Sequence, residues 1–513
     1  MSNNRITADE IITQKHKRNF VQWGGPYPGN AVRYAGQDAQ YMAIDGVTVP
    51  ESGGIDPVWV PDPYINGRYR LVSRSISPPD LAEATLMMKE RHKLLPRQLT
   101  PLNCPFNFYE VTGTCKDPSD FLRGWSDYVL IYSLGLVTEK DLGSRSSWDS
   151  DDAIEDSLSV TLANVYPVGS LAFCQEASAE ISRKIVDITY GSTVSCGTCG
   201  AADDGTNRIY AVTETSGAGS PGLPAEVVYS LNGGTFWAQV NITGLGATES
   251  PLAIEVVGQY LVVLGADAYY YAEINADTGV PGTWTKVSTG FVAAGSPVDM
   301  YALSSREVYF CGDGGYIYKS TDITAGVTAI LDGSAYTDDL KRIDGLEETI
   351  VAVGANGQIL FTTDRGATWS ASATIPTASM LQAVDVKSSK AWWVGSINGY
   401  VWYTVNGGAS WSQLTFSGQG AGQIFDIVSA TEEVMYIARA DATPTASILT
   451  SWDGGQSWTT SSPRIVNLPV FDWPTRIAVP FAEAGIAANT LAVGGLAGDG
   501  SDGILLVATA AKL

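Results

Sequence analysis

Four short stretches of the chain set a carboxylate or carboxamide, a glycine and a tryptophan at matching offsets. They are Asn232, Gly234 and Trp237 in SLNGGTFW, Asp364, Gly366 and Trp369 in FTTDRGATWS, Asn406, Gly408 and Trp411 in TVNGGASW, and Asp453, Gly455 and Trp458 in SWDGGQSW. Two degraded copies keep Asp277 and Gly279 with Trp284 two residues late, and Asp322 with Val327 in the tryptophan position. A recurring carboxylate could act as acid, base or nucleophile, but its neighbours suit a tight turn between strands. An Asp or Asn oxygen accepts nearby backbone N–H groups and pins the turn. The glycine permits φ > 0 where a side chain would clash. The tryptophan opens the next strand with a flat face for packing. None of these roles needs a substrate.

Other chemistry-bearing residues are sparse. Both histidines, His16 and His92, lie outside the repeats. A Ser-His-Asp triad, a His-ligated metal site or a His general base is therefore impossible within them. The GDGG run from Gly312 to Gly315 lacks the Gly-Lys-Ser/Thr ending of a phosphate cradle and reads as a turn. The cysteines are Cys104, Cys115, Cys174, Cys196, Cys199 and Cys311. Cys196 and Cys199 form a Cys-x-x-Cys whose wider spacing fits no standard zinc finger. They read as reduced thiols, with a local bridge as the alternative. No cofactor and no metal is expected. The net charge of −23 excludes a partner held by phosphate neutralisation and disfavours an anionic membrane. No apolar run reaches the length of a membrane span, and the polar start MSNNRITADEIITQKHKRNF reads as no signal peptide.

The elements that must position these turns follow from the spacing. The acceptors at 232, 277, 322, 364, 406 and 453 are 45, 45, 42, 42 and 47 residues apart. A period of about 40–50 residues marks a propeller with four strands per blade. Apolar runs ending near glycine precede the turns, as in VYFCGDGG, TIVAVGANG and AWWVGSING, and read as buried strands. TLAVGGLAG and DGILLVATA repeat the pattern near the C-terminus, which makes seven blades, with six or eight as alternatives. The last blade is expected to be completed by a strand near Leu171–Ser182, removing a free sheet edge. Trp392, Trp393 and Trp402 read as core between blades, or as a patch for stacking on carbohydrate.

The turn motif resembles the Asp-box, or BNR repeat, and residues 183–513 resemble the β-propellers of the sialidase-like and photosystem II assembly-factor-like groups. The sialidase resemblance implies an arginine triad, a tyrosine nucleophile, a glutamate partner and an aspartate acid. Beyond residue 200 the arginines are Arg208, Arg306, Arg342, Arg365, Arg439, Arg464 and Arg476. None stands in a motif that carries those roles over, so the chain is expected not to be an enzyme, with a sialidase-like hydrolase as the runner-up.

Residues 1–182 lack the period. Residues 1–66 read as an arm with a Pro/Gly-rich extended loop and a short helix capped by Thr7. Residues 67–182 read as a small α+β sandwich or barrel. Its one helix lies in SPPDLAEATLMMKERHKLLP, and its strands in YRLVSRSI, FNFYEVTGT, DYVLIYSLGLV and DSLSVTLANVYPV. This element order resembles the tail tube subunit of long-tailed bacteriophages. The resemblance implies hexameric or pseudo-hexameric rings stacked into a DNA conduit in the virion tail, in contact with other tail proteins. The acidic cluster Asp149, Asp151, Asp152, Glu155 and Asp156 would then face a lumen, or else a solvated loop. The propeller would project outward, with a host-surface glycan as possible ligand. The alternatives are the sialidase-like hydrolase and an assembly factor or scaffold that binds a partner protein.

Overall fold

The computed structural model describes strand backbones between 17 and 181, and the side chain of Ile181. From 183 to 510 it describes all residues except 192–207, 216–223, 235, 247–248, 277, 376–377, 417–418, 421, 432, 441–445, 452–453, 456–457, 459–464, 467–470, 481–488 and 498–501. The chain divides into a first unit within residues 1–168 and a second from 169 on.

In the first unit the strands Gln40–Ile44, Lys17–Trp23, Phe106–Thr112, Tyr128–Asp141, Glu155–Leu162, Ala82–Lys89 and Gly46–Thr48 follow one another across an antiparallel sheet. The two end strands, Gln40–Ile44 and Gly46–Thr48, are one residue apart in sequence, so the chain runs directly from one edge of the sheet to the other. Asn164–Gly169 pairs with Tyr128–Asp141, and Asp56–Pro61 forms a separate hairpin with Tyr69–Ser75. Segments expected as arm and loop between 17 and 61 thus contain strands, and the helix expected from Thr7 lies outside the described residues. The helix expected in 77–96 is corrected to the strand Ala82–Lys89. Its residues also read at period two, with Ala84, Leu86 and Met88 alternating with Glu83, Thr85 and Met87. An unbroken ladder from Ala82↔Leu162 to Lys89↔Glu155, with a second partner at Gly46–Thr48, outweighs local helical preference.

The second unit is mainly β and is a seven-bladed propeller. Blade 1 comprises Ile185–Tyr190, Ile209–Thr213, Glu226–Ser230 and Trp237–Asn241. Blade 2 comprises Ala253–Val257, Tyr260–Leu264, Tyr269–Glu273 and Thr285–Val287. Blade 3 comprises Pro297–Ala302, Val308–Gly312, Tyr316–Ser320 and Thr328–Asp332. Blade 4 comprises Leu340–Leu346, Thr349–Gly354, Ile359–Thr362 and Ser370–Ala371. Blade 5 comprises Leu381–Val386, Trp392–Ser396, Val401–Thr404 and Ser412–Gln413. Blade 6 shows Gln423–Ser429, Met435–Ala440 and Ala446–Ser451. Blade 7 comprises Phe471–Ala478, Thr490–Ala497 and Gly503–Ala510.

The second strand of each blade reads as an unbroken apolar run because it is covered on both faces. VYFCG, TIVAVG, WWVGS and MYIARA are buried at every position. The apolar clusters accordingly span neighbouring blades. One joins Tyr210 and Val227 of blade 1 to Ile254 and Leu261 of blade 2, and another joins Val351 and Val353 of blade 4 to Trp392 and Trp402 of blade 5. Trp392 and Trp393 are fully buried, so the indoles are core and offer no face for a sugar.

The ring closes as the sequence pattern requires. Leu171–Phe173 and Ala179–Ile181 pair antiparallel with Gly503–Ala510, the last strand of the chain. Gly503 sits at this seam, where a Cβ would approach the carbonyl oxygen of Arg183 to 2.0 Å. Gly503→Val is expected to lower stability by roughly 2–4 kcal/mol in denaturant melts. A stability equal to wild type would show that the seam does not hold the ring.

Candidate functional site

The repeated turns of blades 1 to 5 join the third and fourth strands of their blades, away from the central channel. In blade 4 the Thr362 hydroxyl donates to Asp364 Oδ1 (2.6 Å) and accepts the N–H groups of Asp364 (3.2 Å) and Gly366 (3.0 Å). The N–H and hydroxyl of Thr368 donate to Asp364 Oδ1 (2.9 Å) and Oδ2 (2.6 Å). The hydrogen bonds from Thr362 and then Thr368 hold the Asp364 carboxyl down at about 2. In blade 5 Asn406 Oδ1 accepts from Thr404 (2.8 Å) and Ser410 N–H (3.0 Å), while its amide donates to Ser410 Oγ (2.7 Å). Asn replaces Asp by reversing the direction of that last bond. In blade 1 Asn232 Oδ1 accepts from Ser230 Oγ (3.0 Å) and Phe236 N–H (2.9 Å). Asp322, in the degraded copy, holds only the N–H and hydroxyl of Thr324. Asp277 and Asp453 lie outside the described residues. Ser451 nonetheless accepts the N–H of Gly455 (2.9 Å), and Trp458 donates to the Gly455 carbonyl (3.1 Å).

The turn needs two successive residues at positive φ: Gly233–Gly234, Arg365–Gly366, Gly407–Gly408 and Gly454–Gly455. The turns of blades 2 to 5 are also clamped to the preceding blade. Tyr210 donates to the Gly279 carbonyl (2.6 Å), Tyr269 to Ile323 (2.7 Å) and Tyr309 to Arg365 (2.8 Å), and Ala373 N–H to Gly408 (2.8 Å). The motif residues are turn braces and blade clamps.

A second ring of polar groups lies on the innermost strands, around a channel cavity of about 390 Å³. Asp187, Glu255, Asp299, Asp344, Asp385 and Asp426 supply one carboxyl from each of blades 1 to 6, and Arg476 stands on blade 7. Five of the six reach forward to the innermost strand of another blade. Asp187 accepts the N–H of Ile254 (2.8 Å), Asp299 that of Ile343 (3.0 Å) and Asp344 that of Val386 (2.6 Å). Asp385 accepts both the N–H (2.8 Å) and hydroxyl (2.6 Å) of Ser429, and Asp426 accepts the N–H of Ile477 (3.0 Å). Thr475 of blade 7 reaches blade 1 by donating to the carbonyl of Ile185 (2.8 Å).

Burial pushes Asp187 up to about 7 and Asp426 up to about 6, against the pull of Arg342. Burial likewise raises Asp299 and Asp385, and lifts Glu255 and Asp344 well above the usual carboxylate range. Arg342 pairs with Asp426 (3.0 Å) and Asp299 (3.4 Å), and Arg476 with Asp187 (3.2 Å) and Asp299 (3.9 Å).

Among the described candidate arginines only Arg342 and Arg476 line the channel, and both are held by carboxylates. Arg208 reaches the Ala276 carbonyl (3.3 Å), Arg365 sits in a box turn, and Arg464 lies outside the described residues. No described trio converges as a sialidase triad would. The sequence reading missed the inner carboxylates. The signal was present as single acids inside the apolar strands VDI, VDM, RIDGL, AVDV and FDIV, 41 to 45 residues apart from Asp299 onward. Cys311 is buried, and Cys196 and Cys199 lie outside the described residues.

No family model and no curated protein matches the chain. Among solved structures, YCF48 bound to a D1 peptide is 16% identical with a TM-score of 0.48, over 66% of this chain and 95% of that one. YCF48 from Cyanidioschyzon merolae is 15% identical with a TM-score of 0.47, over 65% and 98%. The RRP9 WD40 repeats are 9% identical with a TM-score of 0.46, over 66% and 99%. Likeness at this level implies no shared activity or partner.

Arg365 is the non-glycine residue among these paired positive-φ positions, at φ 56°. Arg365→Gly is expected to raise stability by roughly 0.5–1 kcal/mol, since its carbonyl contacts survive. Gly366→Ala should lower the thermal midpoint, because its Cβ would meet Ile330 Cδ1 at 2.8 Å with φ at +83°. The reverse order of the two variants would refute the turn assignment.

The inner carboxyls predict a pH dependence. Asp187 and Asp426 titrate higher in the folded chain than in the unfolded one. Their stabilisation is complete below the ordinary carboxylate pKa of about 4 and is lost as pH rises through about 6 and about 7. The thermal midpoint should therefore be higher at about pH 5 than at about pH 8. A midpoint that rises across this interval would contradict buried, latched carboxyls.

Proposed function

We propose that the chain is a non-enzymatic scaffold whose propeller binds a partner protein. The observation that carries this reading is where the propeller's polar groups are engaged. Box acceptors brace turns, inner carboxyls latch one blade to another, and the two channel arginines are ion-paired. What the fold presents outward on a rigid turn is apolar. Phe236 is 69% exposed and Leu231 36% exposed, both beside Asn232, whose oxygen holds the Phe236 N–H. A large aromatic fixed in water suits a protein contact, where rigid anchors carry much of the binding energy.

A second reading, self-assembly through the first unit as in stacked tail-tube rings, is favoured by one feature. The hairpin Asp56–Pro61 with Tyr69–Ser75 has no other strand partner among the described residues, and such edges pair between chains. Against it, the helix on which the tail-tube resemblance drew is a strand.

Light scattering of the purified chain with and without a crosslink-identified partner separates the two. The scaffold reading expects a stoichiometric heterocomplex that Phe236→Asp weakens about tenfold or more, with stability unchanged within about 0.5 kcal/mol. Concentration-dependent homo-rings without a heterocomplex would favour the second reading. Turnover of a fluorogenic sialoside would overturn both.

A further inference from the structure

Blade 3 is where the repeated turn decays, and the decay leaves an opening. In blades 4, 5 and 6 the box turn is tied to the hairpin of the first two strands. Arg365 N–H donates to the Glu348 carbonyl (3.1 Å), Gly407 to Lys390 (2.9 Å) and Gly454 to Glu433 (2.8 Å). In blade 3 no backbone bond joins the turn 321–327 to the hairpin 303–307 among the described residues. Ser320 also takes none of the glycine N–H bonds that its counterparts Thr362, Thr404 and Ser451 accept. Beside these two missing ties a cavity of about 540 Å³ opens, a volume usual for a small-ligand site. It lies between the first hairpin of blade 2, at Gly258–Tyr260, and the two turns of blade 3. Its walls are nonetheless fixed. A Cβ on Gly258 would meet Ser305 Cβ at 2.8 Å, and Tyr269 of blade 2 holds the Ile323 carbonyl (2.7 Å). A local rule given up inside a braced frame is a common mark of a functional site.

The chemistry of the lining is a second, independent observation. Arg306 supplies a guanidinium that makes no hydrogen bond or ion pair among the described residues. Its charge still reaches Asp322, whose carboxyl is held below the usual range first by hydrogen bonds from Thr324 and then by Arg306. Asp322 spends only Oδ1 on Thr324, which leaves Oδ2 able to accept. Thr321 and Thr324 add hydroxyls. Gln259 donates to the Tyr260 hydroxyl (3.1 Å), and the half-buried Tyr260 ring is braced edge-on by Tyr271 (5.4 Å). These groups answer different parts of one kind of molecule. A guanidinium pairs with a carboxylate through a planar fork. A free carboxylate oxygen and hydroxyls answer the O–H groups of a polyol. A tyrosine ring offers an apolar face with a polar tip. A phosphate dianion is less suited, because Asp322 stands beside the single cation.

We propose that this cavity between blades 2 and 3 binds an acidic sugar, a hexuronic acid residue, with its carboxylate on Arg306, its hydroxyls on Asp322 and Thr324, and its ring against Tyr260. The site lies on the face that carries the box turns, away from the central channel. The indoles Trp392, Trp393 and Trp402 take no part in it, being core between blades. The site does not depend on the scaffold reading, and either can fail alone.

Saturation-transfer NMR of the full chain with trimers of galacturonic, glucuronic and mannuronic acid is the test. Their neutral methyl esters and acetate serve as comparison ligands. At least one trimer should bind, and its ester should bind roughly tenfold or more weakly. Added sodium chloride should weaken the acid and leave the ester unchanged. Arg306→Ala should cost roughly tenfold or more, and Arg306→Lys less, because an ammonium keeps the charge without the fork. The Arg306 side chain has no partner to lose, so Arg306→Ala should melt at the wild-type temperature, which separates lost binding from lost folding. Transfer from none of the trimers would overturn the proposal. So would equal affinity for acid and ester, or an Arg306→Ala chain that binds as wild type does. Acetate that displaces the trimer at equal concentration would leave an anion site in place of a sugar site and would overturn it too.

Discussion

The innermost strand of every propeller blade is an edge strand. It has a ladder partner on one side and only the channel on the other, so half of its N–H groups need another acceptor. This chain meets that need with side chains reaching around the ring. Asp187, Asp299, Asp344, Asp385 and Asp426 each accept an N–H from the innermost strand of another blade. Apolar faces press neighbouring blades together, but oil-like contact does not fix how far one sheet slides over the next. A directional bond at the axis does. The ring's register therefore rests on these buried acceptors, and the outer turns, the channel and the closure are arranged around it.

The outer turns solve the same problem by opposite electrostatics. Asp364 sits in water among donors that favour its ionised form, so its carboxyl is held low. The inner carboxyls are buried and close to one another, so theirs are high. The outer acceptors are carboxylates held low or neutral amides, Asn232 and Asn406, and the inner ones are carboxyls raised by burial. Both are in their preferred states only in mildly acidic solution.

The propeller was legible because its turns demand unusual residues. Two consecutive positive-φ positions select Gly-Gly or Asn-Gly-like sequences, and a hydroxyl two residues before the acceptor selects Ser230, Thr362, Thr404 and Ser451. Those constraints are local and recur with the blade period, so they survive in the sequence even where Trp gives way to Val327. The channel was harder to read. Each inner carboxyl is a lone acid in an apolar strand, and its meaning comes from a partner about 42 to 67 residues away. Long connections in blade 1 also break the interval between Asp187 and Glu255. The strand at Ala82–Lys89 is hidden in the sequence for a related reason. Its residues satisfy both periodicities, and only the ladders on its two sides, invisible locally, decide between them.

The seam of the ring has a consequence for how the molecule is made. Thr475 bonds to Ile185 across 290 positions, and Gly503–Ala510 joins Leu171–Phe173 and Ala179–Ile181, which precede every blade of the propeller in the chain. During translation six blades can condense in turn while the torus stays open, because the strand that shuts it, Gly503–Ala510, follows all of them in the chain. Contacts this distant along the chain make ring closure a late and slow event. Until then Ala179–Ile181 waits as an unmatched edge. Nascent chains are thus exposed to aberrant pairing until Gly503–Ala510 has emerged, and removing that strand would leave the circle ajar.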